Sequence, residues 1–320
     1  MSENWPLVGR ECTVQQIRSG WERSHPVNVV VAGPPGSGKT TLGHACIELA
    51  QELGWRTEIV VPSRTTRGPG TPEGERLRAL LSDARQDDPV AVFVDAAERL
   101  DESDAAVLLD AATRVGVVVI ATLRSRTNVA PSVTDLWRTD VARRIDLAGL
   151  DDDLVSRILV EVVAGPVELA TAARFTELCQ GNGSYLRELV TGSLDDGTLS
   201  QMHGLWRLVG EIRPNARLTE IVESELAGVD IEDRRILDTV AYAGSLGARA
   251  LWQMADPERI SALERIGLLV SVETLDDIEF ALPPVHRAVL SSRLSVADAQ
   301  RFATRLLDVD ATSTRDDVGR

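Results

Sequence analysis

The chain has 320 residues, a net charge of −15, 43% hydrophobic and 26% charged residues, which leaves room for about two or three domains with sizeable cores. No apolar run reaches the ~18 residues of a membrane span. Met1-Ser-Glu-Asn-Trp-Pro-Leu-Val8 lacks the basic-then-apolar order of a secretory leader, so the sequence reads as cytoplasmic. The acidic balance opposes broad attraction to nucleic acid or anionic lipid. Cys12, Cys46 and Cys179, with His25, His44, His203 and His286, stand in no metal, disulfide, redox or triad spacing.

In chain order, Val27–Ala32 reads as a short buried strand and Thr40–Leu53 as a helix. Between them lies Gly33-Pro-Pro-Gly-Ser-Gly-Lys39-Thr40, the spacing G-x-x-x-x-G-K-[ST] of a phosphate-binding P-loop. Of the 34 Lys and Arg residues, Lys39 is the one lysine. A chain that uses arginine everywhere else keeps a compact ammonium here, where arginine's planar fork is no substitute. Further strands are expected at Thr57–Val61, Val90–Asp95, Val117–Leu123 and Arg144–Leu147, with a Gly/Pro-rich loop over Pro62–Gly74 and a helix over Glu75–Arg85. That alternation predicts a mostly parallel sheet covered on both faces. Past Leu150 the strand rhythm stops. Helices are expected at Asp151–Val163, Val167–Gln180 and Ser184–Ser193, then a hairpin in Thr198–Val209. Helical patterns at Leu218–Leu226, Ile231–Ala243, Ala248–Gln253 and Pro257–Ile266 precede two strands, Leu268–Val272 and Ile278–Leu282, an order that predicts a winged helix. Thr312–Arg320 is expected to fray.

The chemistry follows from these placements. Backbone N–H groups of Pro35 through Thr40 (Gly36, Ser37, Gly38 and Lys39 between them; Pro35 itself has none) are placed to cradle phosphates where a helix begins and its dipole favours anions. Lys39 would neutralise the terminal phosphates and the Thr40 hydroxyl would bind Mg2+, with Thr41 a weaker phosphate contact. Asp95, ending an apolar strand, fits an acid that holds Mg2+ through water. Hydrolysing enzymes of this type commonly place a second acid next, but here stands Ala96; Glu98 is close by and could substitute, though its spacing is wrong for the same geometry. A missing base removes about 10²–10⁴-fold in rate, so turnover is expected to be slow or absent. Thr122 and Arg124 fall where a γ-phosphate would sit, and the guanidinium fork suits that group.

These residues in this order resemble a STAND nucleotide-binding module of the AAA+ kind, in particular the N-terminal ATPase of large LuxR-family transcriptional regulators. The resemblance runs from Leu7-Val-Gly-Arg-Glu11 through the P-loop, Val94-Asp-Ala-Ala-Glu-Arg-Leu-Asp101, Ala121-Thr-Leu-Arg124, Leu136-Trp-Arg138 and Gly181-Asn-Gly-Ser-Tyr-Leu-Arg-Glu-Leu189 to Ala281-Leu-Pro-Pro-Val-His-Arg-Ala-Val-Leu290. It implies that Val8, Gly9 and Arg10 pack near the adenine, that ATP or ADP binds with Mg2+, and that Asp95 and Arg124 act on the phosphates. It implies an α/β P-loop domain over 1–150, a helical lid with a short hairpin over 151–215, a winged helix over 216–295 and a C-terminal helix and tail over 296–320. The chain departs from the family at Ala96, at Gly183 (where the family has proline) and at Pro283 (where it has an ADP-sensing histidine); His286, three residues on, reads as structural. Family members continue into a repeat sensor and a DNA-binding helix-turn-helix, so a chain stopping at Arg320 is expected to be a naturally short relative or the regulatory front half.

The expectation is therefore a nucleotide-binding regulatory switch in which ATP or ADP sets the domain arrangement, answering to an effector and acting through self-association or an output-domain partner. The acidic run Glu273–Glu279 opposes direct DNA binding. Two rival classes use the same motif: a competent ATPase or small-molecule kinase, and a DNA-binding initiator-like ATPase.

Overall fold

The computed structural model describes residues 5, 8–22, 26–62, 72–83, 88–125, 127–273 and 278–304. The expected loop at Pro62–Gly74 lies largely outside the described residues, as do Leu7, His25, Arg85 and Thr312–Arg320. The chain forms two compact units, one from Met1–Ala164 with Gly181–Ser184, the other from Gly165–Gln180 with Tyr185–Arg320.

The first unit runs α1 (Glu11–Trp21), β1 (Asn28–Gly33), α2 (Lys39–Glu52), β2 (Arg56–Val60), α3 (Pro72–Asp83), β3 (Val90–Val94), a single 3-10 turn (Ala97–Arg99), α4 (Glu102–Thr113), β4 (Val117–Arg124), α5 (Pro131–Arg138), β5 (Ala142–Asp146) and α6 (Asp152–Val162). The five strands pair in parallel in the order β2-β3-β4-β1-β5. The inner strands β1 and β3 are buried along their whole length, which is why their sequences are nearly unbroken Val and Ala instead of alternating. Alternation persists in direction. Val30, Ala32, Val92 and Val94 join Leu108, Val133 and Leu136 in one core cluster, while Val29, Val31, Phe93 and Ile120 join Ile17, Trp21, Leu42 and Cys46 in another. Asn28 stitches the start of the sheet: its Nδ2 donates to the Ala112 and Val141 carbonyls at 2.8 and 3.0 Å, and its Oδ1 accepts from Val119 N–H at 2.8 Å.

The register sets up the site. Gly33 is opposite Arg124 and Val31 opposite Thr122 across β1 and β4, and Val94 is opposite Ala121 across β3 and β4. The carboxyl ends of three neighbouring strands thus open together, where parallel sheets take their ligands.

The second unit holds α7 (Leu169–Cys179), most of α8 (Gly183–Asp195), the antiparallel hairpin β6 (Leu199–Met202) and β7 (Leu205–Leu208), α9 (Ala216–Leu226), α10 (Ile231–Ala243), β8 (Ser245–Gly247), α11 (Ala248–Met254), α12 (Pro257–Arg265), β9 (Val270–Glu273), β10 (Ile278–Ala281) and α13 (Pro284–Arg293). The hairpin turns on His203 and Gly204, both at positive φ, the tight two-residue turn whose twist matches paired strands. Asn215, Asp230 and Asp256 cap three helices by accepting from first-turn N–H groups. β8, β10 and β9 form a three-stranded antiparallel sheet.

Two expectations shift here. The strand expected over Leu268–Val272 starts at Val270, because Gly267 at φ +79° ends α12 with Leu268 N–H bonded back to Leu263 O at 3.0 Å. Leu268 and Leu269 are buried by that reversal and not by a strand. β8, too short to show a period, carries no signal in the sequence. His286 is buried in α13, its Nε2 3.1 Å from Glu225 Oε2, the same oxygen to which Tyr185 Oη donates at 2.6 Å. Burial, then that hydrogen bond, pushes the Tyr185 hydroxyl well above its ordinary pKa.

Candidate nucleotide site

β1 ends at Gly33 and α2 begins at Lys39, with Gly38 as N-cap in the left-handed region at φ 86° and no side chain capping the first turn. The N–H groups at the start of this 14-residue helix therefore lack a side-chain cap, the arrangement that receives an anion. Gly38 is the residue type that this backbone allows cheaply.

Lys39 lies half-buried, its Nζ donating to the Gly33 and Pro34 carbonyls at 3.0 and 2.6 Å. Its pKa is lowered, first by burial; Glu98 and Asp95 act against that, and Arg124 adds to it. Thr40 Oγ1 donates to both Asp95 oxygens at 3.1 Å. Thr122 Oγ1 donates to Asp95 Oδ1 at 2.5 Å and accepts from Ala96 N–H at 2.9 Å. A hydroxyl and a carboxylate side by side form the hard oxygen donor set that Mg2+ takes, so Thr40 and Asp95 fit the ion. Bound there, it would neutralise charge between phosphate oxygens.

Ala96 stands at φ 65°, ψ 53°, a left-handed conformation that costs a non-glycine residue about 1–2 kcal/mol. It turns the chain out of β3 into the 3-10 turn and carries Glu98 back to the sheet edge. There Glu98 Oε2 accepts from Arg124 N–H at 3.3 Å and Oε1 lies 3.8 Å from Arg124 Nε. The spacing that sets Glu98 apart from the site in the sequence is bridged by this turn, which no sequence pattern announces.

The opening motif closes onto the same loop. Val8 is buried, Gly9 has φ +76° against Leu154, and Arg10 Nη2 donates to Ala148 O at 3.1 Å and reaches Ser37 O at 3.5 Å. Burial lowers the Arg10 pKa, with Asp151 acting the other way. Ser37 is buried, while Pro35, Thr40 and Thr41 are exposed on the loop and first helical turn.

Gly181–Ser184 belongs to this unit and lies on the P-loop. Gly183 N–H donates to Gly36 O at 2.8 Å and Leu150 N–H to Gly181 O at 2.8 Å. At Gly36, φ +70°, a Cβ would fall 1.7 Å from Asn182 Oδ1. Glycine at 183 therefore has a structural consequence, because a proline there would have no N–H to give Gly36. Among the described residues no group of three or more His, Cys, Asp or Glu could hold a metal by itself, and no helix is long and apolar enough to cross a membrane.

A glycine-cradled helix start, an ammonium, a hydroxyl-carboxylate pair and a parallel sheet in this strand order define a P-loop nucleotide-binding domain of the AAA+ fold. Residues 29–147 match the family described as ATPases associated with various cellular activities. No curated protein matches the chain. Among solved structures it is similar to the Holliday junction branch migration motor RuvB of Thermotoga maritima, at 19% identity over 82% of this chain and 89% of that one, TM-score 0.46. It is also similar to Orc1 of Aeropyrum pernix in complex with DNA, at 16% identity over 95% of each chain, TM-score 0.48. At these values neither likeness bears on what this chain does.

Proposed function

We propose that the chain is an ATP/ADP-binding regulatory switch of the STAND kind, a module of a LuxR-type transcriptional regulator in the cytoplasm, with weak hydrolysis. The observation that carries it is the pairing of a complete phosphate cradle around Lys39, Thr40 and Asp95 with Ala96 where a second acid would stand. Such a site binds nucleotide well and turns it over poorly, which suits a molecule whose bound nucleotide is its state. The division into a nucleotide domain over 1–150, a lid over 151–215 and a winged helix over 216–295 belongs to this proposal. The order α10, β8, α11, α12, β9, β10 with the sheet β8-β10-β9 supports the winged-helix part. An effector and an output partner complete the switch, and the net charge of −15 argues against direct DNA contact by this chain.

Calorimetry with ATP·Mg2+ and with ADP tests the reading. The parent should bind both. Lys39→Ala should weaken ATP by roughly 10- to 100-fold, the worth of a charge-assisted contact. Equal ATP affinity in the two proteins would remove the P-loop assignment.

A further inference from the structure

The switch reading leaves one carboxylate at the site without a role. Glu98 keeps only 7% of its side chain exposed, and acids so buried are ordinarily paired. Its pairing is loose. Arg124, 48% exposed, approaches it only to 3.8 Å through Nε, beyond hydrogen-bond reach, and the closer contact comes from the Arg124 backbone. Its partner Arg124 stands opposite Gly33, where the P-loop begins, so the carboxylate lies at the strand end that opens onto the phosphate cradle. The left-handed residue Ala96 and the 3-10 turn behind it bring an acid to the crevice from two positions beyond the usual one.

We infer that Glu98 is the general base for the slow hydrolysis of bound ATP, and that its ion pair with Arg124 is exchanged for the γ-phosphate when ATP binds. The inference rests on the nucleotide-binding reading above. Glu98 takes a proton from water as the water oxygen bonds to the γ-phosphorus. The bond from that phosphorus to the bridging oxygen breaks, and its electron pair leaves with ADP. Glu98 then returns the proton to the phosphate product or to solvent. Arg124 reaches the γ-phosphate by releasing Glu98, so one guanidinium both reads the third phosphate and frees the base. ADP offers no third phosphate and leaves the pair in place.

Single-turnover hydrolysis and calorimetry on the full chain test this, with Glu98→Gln and Glu98→Ala beside the parent. The expected result is a loss of turnover of about 10²-fold or more in both variants, with ATP and ADP affinities within about threefold of the parent. Added formate, a small carboxylate, should restore part of the turnover of Glu98→Ala, which a merely structural role would not permit. Turnover in Glu98→Gln within about threefold of the parent, a fall in ATP affinity that matches the fall in rate, or a parent that binds ATP without hydrolysing it would each overturn the assignment. A parent that fails to bind ATP would instead remove the switch reading on which it stands.

Discussion

The two units solve burial differently, and the difference locates the chemistry. In the α/β unit β1 and β3 are buried along their length and nearly all apolar, and polar side chains gather toward the carboxyl ends of the inner strands: Asp95, Thr122, Arg124 and Glu98 stand there. In the helical unit polar groups sit inside the fold in local pairs. Glu188 is buried with its carbonyl and carboxylate accepting from Asn215, and Glu225 accepts from Tyr185 with His286 Nε2 3.1 Å from the same oxygen. The first arrangement gathers a hydroxyl-carboxylate network, Thr40 and Thr122 on Asp95, at strand ends that open to a ligand. The second ties Asn215 to Glu188 and Tyr185 to Glu225 inside the fold, so that specific packing depends on those pairs. Chemistry therefore belongs to the sheet's carboxyl edge, and the helical unit is built to hold a shape.

The largest effect should come from breaking the apolar half of the comparison. Phe93 is fully buried and packs against Gly43 of α2; Phe93→Ala should cost about 3–5 kcal/mol in denaturant unfolding. A cost below about 1 kcal/mol would mean that the core described for the sheet is wrong.

Next comes the polar half. Glu225→Ala removes the acceptor of the buried Tyr185 hydroxyl and the carboxylate beside His286, which should cost about 1–3 kcal/mol. Tyr185→Phe, which removes only the donor, should cost less. If the two variants unfold alike, Glu225 is not the hub of that cluster.

A smaller effect is expected at the loop joining α7 to α8. Gly183→Pro removes the N–H given to Gly36 and should cost about 0.5–1.5 kcal/mol while weakening nucleotide binding, read by thermal shift with and without ADP. Unchanged nucleotide affinity would show that this hydrogen bond does not support the P-loop.

The mildest probe uses the native thiols. Cys12 is exposed, whereas Cys46 and Cys179 are buried, and burial pushes the Cys46 thiol up to about 12. A thiol reagent near neutral pH should label Cys12 at once and the buried Cys46 only after unfolding, since the thiolate is the reacting form and Cys46 lies in a sheet-face core. Labelling of Cys46 as fast as Cys12 in the folded protein would contradict that core.

How much is legible in the sequence depends on how far apart the partners are. Phosphate binding needs consecutive backbone groups, so the P-loop, its strand and its helix can be read directly, as can the apolar strand ending in Asp95. Glu98 reads in the sequence only as a substitute acid at the wrong spacing, because its partner Arg124 is 26 residues away and the left-handed turn at Ala96 joins them. Asn28 carries no signal for the same reason, its bonds spanning 84, 91 and 113 residues. α4 escapes the sequence pattern because its buried stripe is mostly alanine, Ala105, Ala111 and Ala112 beside Leu108, which blurs the helical period.

A switch must distinguish ATP from ADP at the site and pass the difference to the helical unit. Hydrogen exchange over residues 165–304, compared between ATP-bound and ADP-bound protein, measures that transfer. Segments α8, α9 and α13 should exchange at different rates with the two nucleotides, and Arg124→Ala should erase most of that difference while changing ADP affinity little. Identical exchange with ATP and ADP in the parent would contradict the switch, and would make the bound nucleotide a structural ligand.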